Sequence, residues 1–238
     1  MFLEERYAKI LDKLNEEGRV TVKVLAKEFK VTEDCIRKDL RELENKQKLK
    51  RVYGGAIISR KHEDIKPINE RKNINTDEKK KIAKIAIDII NNGDIIFLDV
   101  STNNIQIAKE LVKRDLKITV VTNMLEIVLE LRGNSNIKVI CIGGEFNNKI
   151  EAIIGAAANN YIRNFTYDKA FIGVCGINKE SGFISTFDLE DGTTKKTIIE
   201  CANKSYLVME KEKFNYEEFY KFASLEEIAG IITEEGII

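Results

Sequence analysis

Apolar residues recur at helical spacing three times within the first 45 positions. Leu3, Tyr7, Ile10, Leu11 and Leu14 share one face of a helix expected over 3–14. Gly18 follows as its stop. Residues 19–21 read as a short extended piece. Thr21 then caps a second helix over 22–29, which buries Val24, Leu25 and Phe29. A tight turn at Lys30-Val31 leads to Thr32, the N-cap of a third helix, with Glu33 and Asp34 in its first turn. Ile36, Leu40 and Leu43, at i, i+4 and i+7, make its apolar stripe, and Arg37, Lys38 and Arg41 lie opposite. Such a helix suits the major groove of DNA, yet the same pattern describes an ordinary surface helix with solvated charges. The flanks favour the first. Two helices joined by a few residues form a helix-turn-helix. After the third helix, KLKRVY alternates basic and apolar residues, and Gly54-Gly55 permits a turn. That hairpin reads as a wing whose Lys48, Lys50 and Arg51 meet phosphates.

Residues 57–76 are polar, contain Pro67, and read as a linker ordered in part against the domain that follows. Beyond it helical and continuous apolar segments alternate. Helices are expected over 78–91, 103–114, 123–131, 155–165 and 190–202. Strands are expected over 94–99, 116–122, 137–142, 169–173, 206–209 and 228–233. The prediction is a small α+β winged helix-turn-helix domain (1–56), the linker (57–76), and a larger α/β domain (77–238) with a mostly parallel, doubly wound sheet.

Ligands of such sheets bind beyond the carboxyl ends of the strands. Those ends carry Asp99-Val100-Ser101-Thr102-Asn103, Thr122-Asn123, Gly143-Gly144 and Gly173-Val174-Cys175-Gly176. Hydroxyls, amides and glycine N–H groups at a helix start make an anion cradle, with Lys195 and Lys213 supplying charge and Asp99 accepting from hydroxyls. Any one of these loops is also ordinary turn and cap chemistry; it is their convergence on one rim that points to a site. No G-x-G-x-x-G or G-x-x-x-x-G-K-[ST] is present, so dinucleotide and NTPase fingerprints are missing.

Composition narrows the classes. The 238 residues are 43% hydrophobic and 33% charged, which suits a globular chain, and no apolar run approaches the ~18 residues of a membrane helix. Four scattered cysteines, without C-x-x-C, disfavour a disulfide scaffold and fit a reducing cytoplasm. A single histidine, His62, leaves little for a catalytic triad or a histidine metal centre, and no cofactor is expected. The net charge is zero, but residues 1–60 hold 15 Lys/Arg against 11 Asp/Glu and the remainder 24 against 28. A basic module joined to a mildly acidic one is consistent with DNA binding by the first.

The chain resembles the DeoR family of bacterial transcriptional regulators over nearly its full length. The N-terminal resemblance rests on Glu5-Arg6, Gly18-Arg19-Val20, Val31-Thr32, Ile36-Arg37-Lys38-Asp39-Leu40, Leu43-Glu44 and Arg51-Val52-Tyr53-Gly54-Gly55-Ala56. The C-terminal half is similar to the family's sensor domain, at Gly93-Asp94, Phe97-Leu98-Asp99, Val121-Thr122-Asn123, Gly143-Gly144, Asp168 to Gly173, Lys195 and Lys213-Phe214. The resemblance implies a fold like ribose-5-phosphate isomerase and the CoA transferases. It also implies a phosphorylated sugar effector, repression of sugar-metabolism genes, and a homo-oligomer, dimer or tetramer. Where the family has Asp-Ser-Gly-Thr-Thr, this chain has Asp99-Val100-Ser101-Thr102-Asn103, which removes a glycine from the phosphate loop. Glu210 and Glu212 replace an aspartate and a serine, adding carboxylate expected to repel an anion, and Cys35 replaces a threonine in the recognition helix.

The reading that results is a cytoplasmic, effector-controlled DNA-binding repressor rather than an enzyme. Double-stranded operator DNA meets Thr32, Glu33, Cys35, Arg37, Lys38, Arg41, Lys50, Arg51 and Tyr53. The effector meets Asp99, Ser101, Thr102, Asn103, Thr122, Asn123, Gly143, Gly144, Gly173, Gly176, Lys195 and Lys213. Two alternatives stand beside it. One is a degenerate sensor acting as an oligomerisation scaffold. The other is a sugar-phosphate isomerase-like enzyme with Asp99 as general base.

Overall fold

The computed structural model describes residues 3–46, 48–57, 67–179, 181–214 and 216–238. It divides into two compact units, Met1–His62 and Glu63–Ile238. The stretch 58–66, which includes His62, lies outside the described residues.

The smaller unit runs α1 (Leu3–Glu17), β1 (Arg19–Thr21), α2 (Val22–Phe29), α3 (Glu33–Asn45), β2 (Lys50–Val52) and β3 (Gly55–Ile57). Its core joins Ile10 and Leu14 of α1, Leu25 and Ala26 of α2, and Ile36, Leu40 and Leu43 of α3. The α3 stripe is the expected one. In α1, Leu3 is half-exposed; in α2, Val24 points outward while Val22 and Ala26 take buried places. Gly18, at φ +72°, ends α1 with its N–H on Leu14 O. The turn between α2 and α3 places Lys30, a non-glycine residue, at φ +54°. Its N–H and that of Val31 both return to Ala26 O, which closes α2. The wing is a three-stranded antiparallel sheet with β3 between β1 and β2, one strand more than the expected hairpin. A Cβ at position 55 would stand 2.0 Å from Val20 O, so only glycine lets β3 approach β1 there.

One polar contact ties α1 to α3. Arg6 Nε donates to Asp39 Oδ2 at 2.5 Å and Nη2 donates to Oδ1 at 2.9 Å, both side chains being buried. The carboxylate raises the guanidinium's pKa further, against the opposing effect of burial. A bidentate pair of this kind fixes the rotation of α3 about its axis as well as its position.

The larger unit begins with α4 (Ile68–Arg71) and α5 (Thr76–Asp88). Ile68 is fully buried in this unit's core, so the stretch read as linker is, from Pro67 onward, part of the packed structure. There follow β4 (Ile95–Leu98), α6 (Thr102–Leu111), β5 (Ile118–Thr122), α7 (Leu125–Leu131) and β6 (Ile137–Cys141). Next come a hairpin of β7 (Glu145–Asn147) and β8 (Ala152–Ile154), α8 (Ala156–Ile162), β9 (Tyr167–Gly173), β10 (Gly176–Ile177) and β11 (Phe183–Thr186). The chain ends with α9 (Leu189–Glu200), β12 (Ala202–Val208), β13 (Tyr220–Ser224), β14 (Gly230–Thr233) and β15 (Gly236–Ile237).

Seven strands form the main sheet in the order β15-β14-β12-β9-β4-β5-β6, parallel except for β15. Alternate residues of each strand enter two separate cores. Ile96, Leu98, Val120 and Phe171 join α5, α6 and α7, whereas Phe97, Val121, Ala170 and Ile172 join α8 and α9. Period-two burial on both faces is what turns the strands into continuous apolar runs. From β4 the chain winds outward through β5 and β6, then returns to β4's other side and winds outward through β9, β12 and β14. The order therefore reverses between β4 and β9, and a crevice opens beyond their carboxyl ends. The expected helices and strands are present with ends shifted by a few residues. The hairpin β7–β8 and a second sheet, β10-β11-β13, were not anticipated.

A charged cluster fastens α5 to the end of β12. Buried Lys79 donates to the carbonyls of Arg71 and Ile74 and lies 3.5 Å from Glu210 Oε1. Glu210 Oε2 meets Lys213 at 2.9 Å and Asn103 Nδ2 at 3.4 Å. Burial alone would raise the Glu210 carboxyl, but Lys213 and Lys79 outweigh it and hold the group down to about 2. Burial lowers the pKa of Lys79, with Glu210 opposing the shift.

Two outcomes follow for stability. Asp39→Ala should destabilise the N-terminal unit by about 3–5 kcal/mol in urea titrations, because Arg6 is left buried and unpaired, while Arg6→Met with Asp39→Leu should cost far less. Glu210→Gln should cost on the order of 2–4 kcal/mol at pH 7. Since the folded-state pKa of Glu210 is depressed, its contribution is complete above about pH 4.5 and is lost as the pH falls toward 2. The gap between Glu210→Gln and the unaltered chain should therefore narrow across that window.

Candidate functional site

The exposed side of α3 and the wing border a cleft of about 950 Å³. Thr32 caps α3, its Oγ1 accepting from Cys35 N at 3.2 Å. Arg37, Lys38 and Arg41 are exposed on α3, and Lys50, Arg51 and Tyr53 on the wing, with Tyr53 at the tip. Gly54, at φ +79°, makes that tip turn. Arg37, Arg41, Arg51 and Tyr53 line the cleft together, joined by Lys23 at the start of α2. Three details depart from expectation. Cys35 is only half-exposed and its Sγ lies 4.0 Å from Asp39 Oδ2, so it rests on the buried ion pair. Glu33 is bound to Arg37 at 2.6 Å. Arg51 is drawn back to α3, its Nε 3.0 Å from Glu44 Oε2 and its N–H on Glu44 Oε1.

The second site lies in the larger unit, at the reversal between β4 and β9. Asp99 ends β4, fully buried, with Oδ2 accepting from Gly173 N at 3.0 Å and from Lys195 Nζ at 2.6 Å. Lys195, on α9, also meets Asp191 Oδ1 at 3.1 Å, and Asp191 Oδ2 accepts from Thr186 at 2.6 Å. Burial pushes the Asp99 carboxyl up to about 6 against the pull of Lys195, with Asp191 adding to the rise. Burial would lower the Lys195 pKa, but Asp191 and Asp99 together raise it, so the ammonium stays charged.

In front of this pair is a small cavity, about 30 Å³, enough for two or three waters at roughly 10–15 Å³ each. Ser101 caps α6, its Oγ accepting from Asn104 N, and Thr102 opens the helix at the cavity wall. Helix-start amides lack intrahelical partners and favour anions. Arg71, Lys195 and Lys213 line the cavity, with Asp191 as the lining carboxylate and Val100, Ile150, Val174 and Phe187 as apolar walls. Burial lowers the Arg71 pKa against nearby acidic groups. Cys175 is also in the wall, its thiol pushed up by burial.

Of the expected effector residues, Ser101, Thr102, Gly173, Lys195 and Lys213 reach the cavity, and Asp99 stands behind Lys195. The others do not line it. Asn103 turns its amide to Val208 O and Glu210. Thr122 donates to Leu98 O and accepts from Met124 N, a strand-end role. Asn123 is buried; its backbone carbonyl accepts from Ile153 N, and its side-chain amide has no hydrogen-bond partner among the described residues. Gly144 makes room for Ile153 beside Gly143, and Gly176 makes room for the Tyr216 backbone. Reasoning from strand ends missed Arg71, Ile150, Phe187 and Asp191. Arg71 fell in the presumed linker. Asp191, four residues before Lys195 on a helix, was the one with a readable signal.

Two expected obstacles are resolved. Ser101 takes up the cap at φ −166°, ordinary extended backbone, and a Cβ on Gly173 would lie 2.4 Å from its Cβ, so the space comes from Gly173 instead. Glu210 is neutralised by Lys79 and Lys213, and Glu212 is held by Asn75 at 2.7 Å. Proton abstraction by Asp99 is disfavoured, because the carboxyl is enclosed and does not line the cavity. Among the described residues no group of three His, Cys, Asp or Glu is placed to hold a metal, and no helix is long and apolar enough to cross a membrane.

Residues 6–62 match the DeoR-like helix-turn-helix domain, and residues 74–235 match the DeoR C-terminal sensor domain. The chain is similar to the uncharacterised HTH-type transcriptional regulator YulB of Bacillus subtilis, 33% identical over 100% of this chain and 91% of that protein. It is 32% identical to the HTH-type transcriptional repressor GlcR of the same organism, over 98% of this chain and 89% of that one. Among solved structures, eIF2B delta from Chaetomium thermophilum has a TM-score of 0.51 at 19% identity, covering 70% of this chain and 58% of that chain, a likeness of fold alone. With both family domains present in order and relatives of about a third identity along its whole length, the chain belongs to the DeoR family of helix-turn-helix transcriptional regulators.

Proposed function

We propose that this regulator represses sugar-metabolism genes in the cytoplasm and is controlled by a phosphorylated sugar bound at the cavity beyond β4 and β9. The observation that carries this reading is the cavity's charge. Arg71, Lys195 and Lys213 face it beside the start of α6, while two of the nearby carboxylates, Asp99 and Glu210, are each engaged by a lysine. A net cationic recess at a helix N-terminus suits an oxyanion. Thr102, Ser101 and Asp191 add groups that exchange hydrogen bonds with sugar hydroxyls. The relatives named as repressors support the direction of control.

The operator is read by α3, with Lys38 and Arg41 beside Arg37, and the wing adds phosphate contacts through Lys50. In a homo-oligomer two copies of α3 would lie about one DNA turn, roughly 34 Å, apart. Control requires that the effector bind one arrangement of the DNA-binding units better than another. The cavity's small volume favours one competing reading, a sensor that has become a scaffold.

A thermal-shift series with glucose 6-phosphate, fructose 1-phosphate and related compounds separates the two. The expected outcome is saturable stabilisation by one compound, near 2.7 kcal/mol at about a hundred times Kd. Lys213→Met should weaken that binding at least tenfold, by removing one charge from the recess. No stabilisation by any phosphorylated sugar would leave the scaffold. For the operator, Arg37→Ala with Lys38→Ala should lower affinity for promoter DNA at least tenfold while the far-ultraviolet circular dichroism is unchanged. Undiminished binding at moderate salt would remove α3 from the groove.

A further inference from the structure

Two of the three arginines on the DNA-facing surface, Arg37 and Arg51, differ from its other cations in one respect. Arg37 Nη2 lies 2.6 Å from Glu33 Oε2 and its Nη1 lies 2.6 Å from Asp34 Oδ1. Arg51 is likewise held by Glu44. Among the described residues Lys38, Arg41 and Lys50 form no ion pair.

We propose that Glu33 and Asp34 preset Arg37 as a base-edge reader and remove it from sequence-independent phosphate binding. The inference rests on the groove reading of α3. Its reasoning is electrostatic. Two carboxylates around one guanidinium leave that corner of α3 with a net negative charge. A phosphate approaching Arg37 meets that charge as repulsion. The edge of guanine is neutral and offers two acceptors, O6 and N7, so it is not repelled. The guanidinium has five N–H donors, of which the acids engage two, and the remaining three suffice for a bidentate contact. The acids also hold a long side chain in one position, which lowers the ordering cost when it meets a base. Glu33 and Asp34 are thus positioning residues for Arg37. Lys38, Arg41 and Lys50 supply the affinity common to all sequences.

The test uses the full-length chain and two 20-bp duplexes, one of random sequence and one enriched by the chain from a random pool. Fluorescence anisotropy is read from 50 to 200 mM KCl. Arg37→Ala should weaken binding to the enriched duplex at least tenfold more than binding to the random duplex, with the salt slope on random DNA unchanged, because Arg37 makes no phosphate contact there. Glu33→Gln with Asp34→Asn should tighten binding to the random duplex and steepen log K against log salt by about one. Adding Arg37→Ala to that pair should abolish the added slope. This last comparison separates release of Arg37 from a general loss of negative charge, because the latter would persist without the arginine. The proposal is overturned if Arg37→Ala alone flattens the slope on random DNA by about one. It is equally overturned if the gain from Glu33→Gln and Asp34→Asn survives removal of Arg37. No binding of either duplex by the unaltered chain would overturn the groove reading itself, and this inference with it.

Discussion

The contact on which the larger unit depends is that of Lys195 with Asp99 and Asp191. It joins α9 to the end of β4, and through Gly173 N to the end of β9, at the one place where the strand order reverses. A buried ammonium without partners is unfavourable by several kcal/mol, and Asp99 and Asp191 each offset that cost. With both, the lysine remains charged at the back of the cavity. The ammonium is therefore held in place without a ligand, and the excess of positive charge at the cavity has to come from Arg71 and Lys213. The small unit follows the same logic at Arg6 and Asp39, where a buried pair sets the rotation of α3. In both units a charge pair inside the fold decides which way a functional helix presents itself.

Much of this was legible in the amino-acid sequence, and the reason differs from element to element. The α3 stripe of Ile36, Leu40 and Leu43 is a strong periodic signal, since one face is buried and the other wet. β4, Ile95–Leu98, is apolar throughout because helices cover both sides of the sheet, and β9 and β12 are so only in their C-terminal halves. By contrast β11 and β13, Phe183–Thr186 and Tyr220–Ser224, mix polar and apolar residues and pair only at long range, so neither period nor length marks them. The expected partial order of the linker is carried by Ile68, a buried side chain among polar neighbours that no periodicity marks. At the cavity, Ser101, Thr102 and Gly173 from the strand ends are in the wall, but position at a strand end does not say where a side chain turns. Asn103 and Thr122 are spent on neighbouring carbonyls, which only coordinates reveal.

The substitutions that set this chain apart from its family's pattern are absorbed locally. Ser101 becomes a helix cap and the space it fills is left open by Gly173. Glu210 gains two lysines. The result is a recess that remains cationic while holding more carboxylate around it, with the acidic groups each engaged. The Glu210 carboxylate ties α5 to the end of β12, and the carboxylate added at Glu212 is held by Asn75. Lys213, shared between Glu210 and the cavity wall, is where those two roles meet.

The reversal of strand order also has a consequence in time. β4 finds β5 within a short stretch of chain, but its other neighbour comes only with β9; the Ile95–Asp168 contact between these strands spans 73 residues. At roughly 5–20 residues per second of synthesis, the inner edge of β4 waits about 4–15 s for its partner. During that interval the strand destined for the centre of the sheet is an edge strand, with apolar Ile96 to Leu98 and unpaired backbone groups open to any other strand. The arrival of β9 closes this edge, but the cavity waits longer, because Asp191 and Lys195 on α9 and then Lys213 are synthesised only after β9.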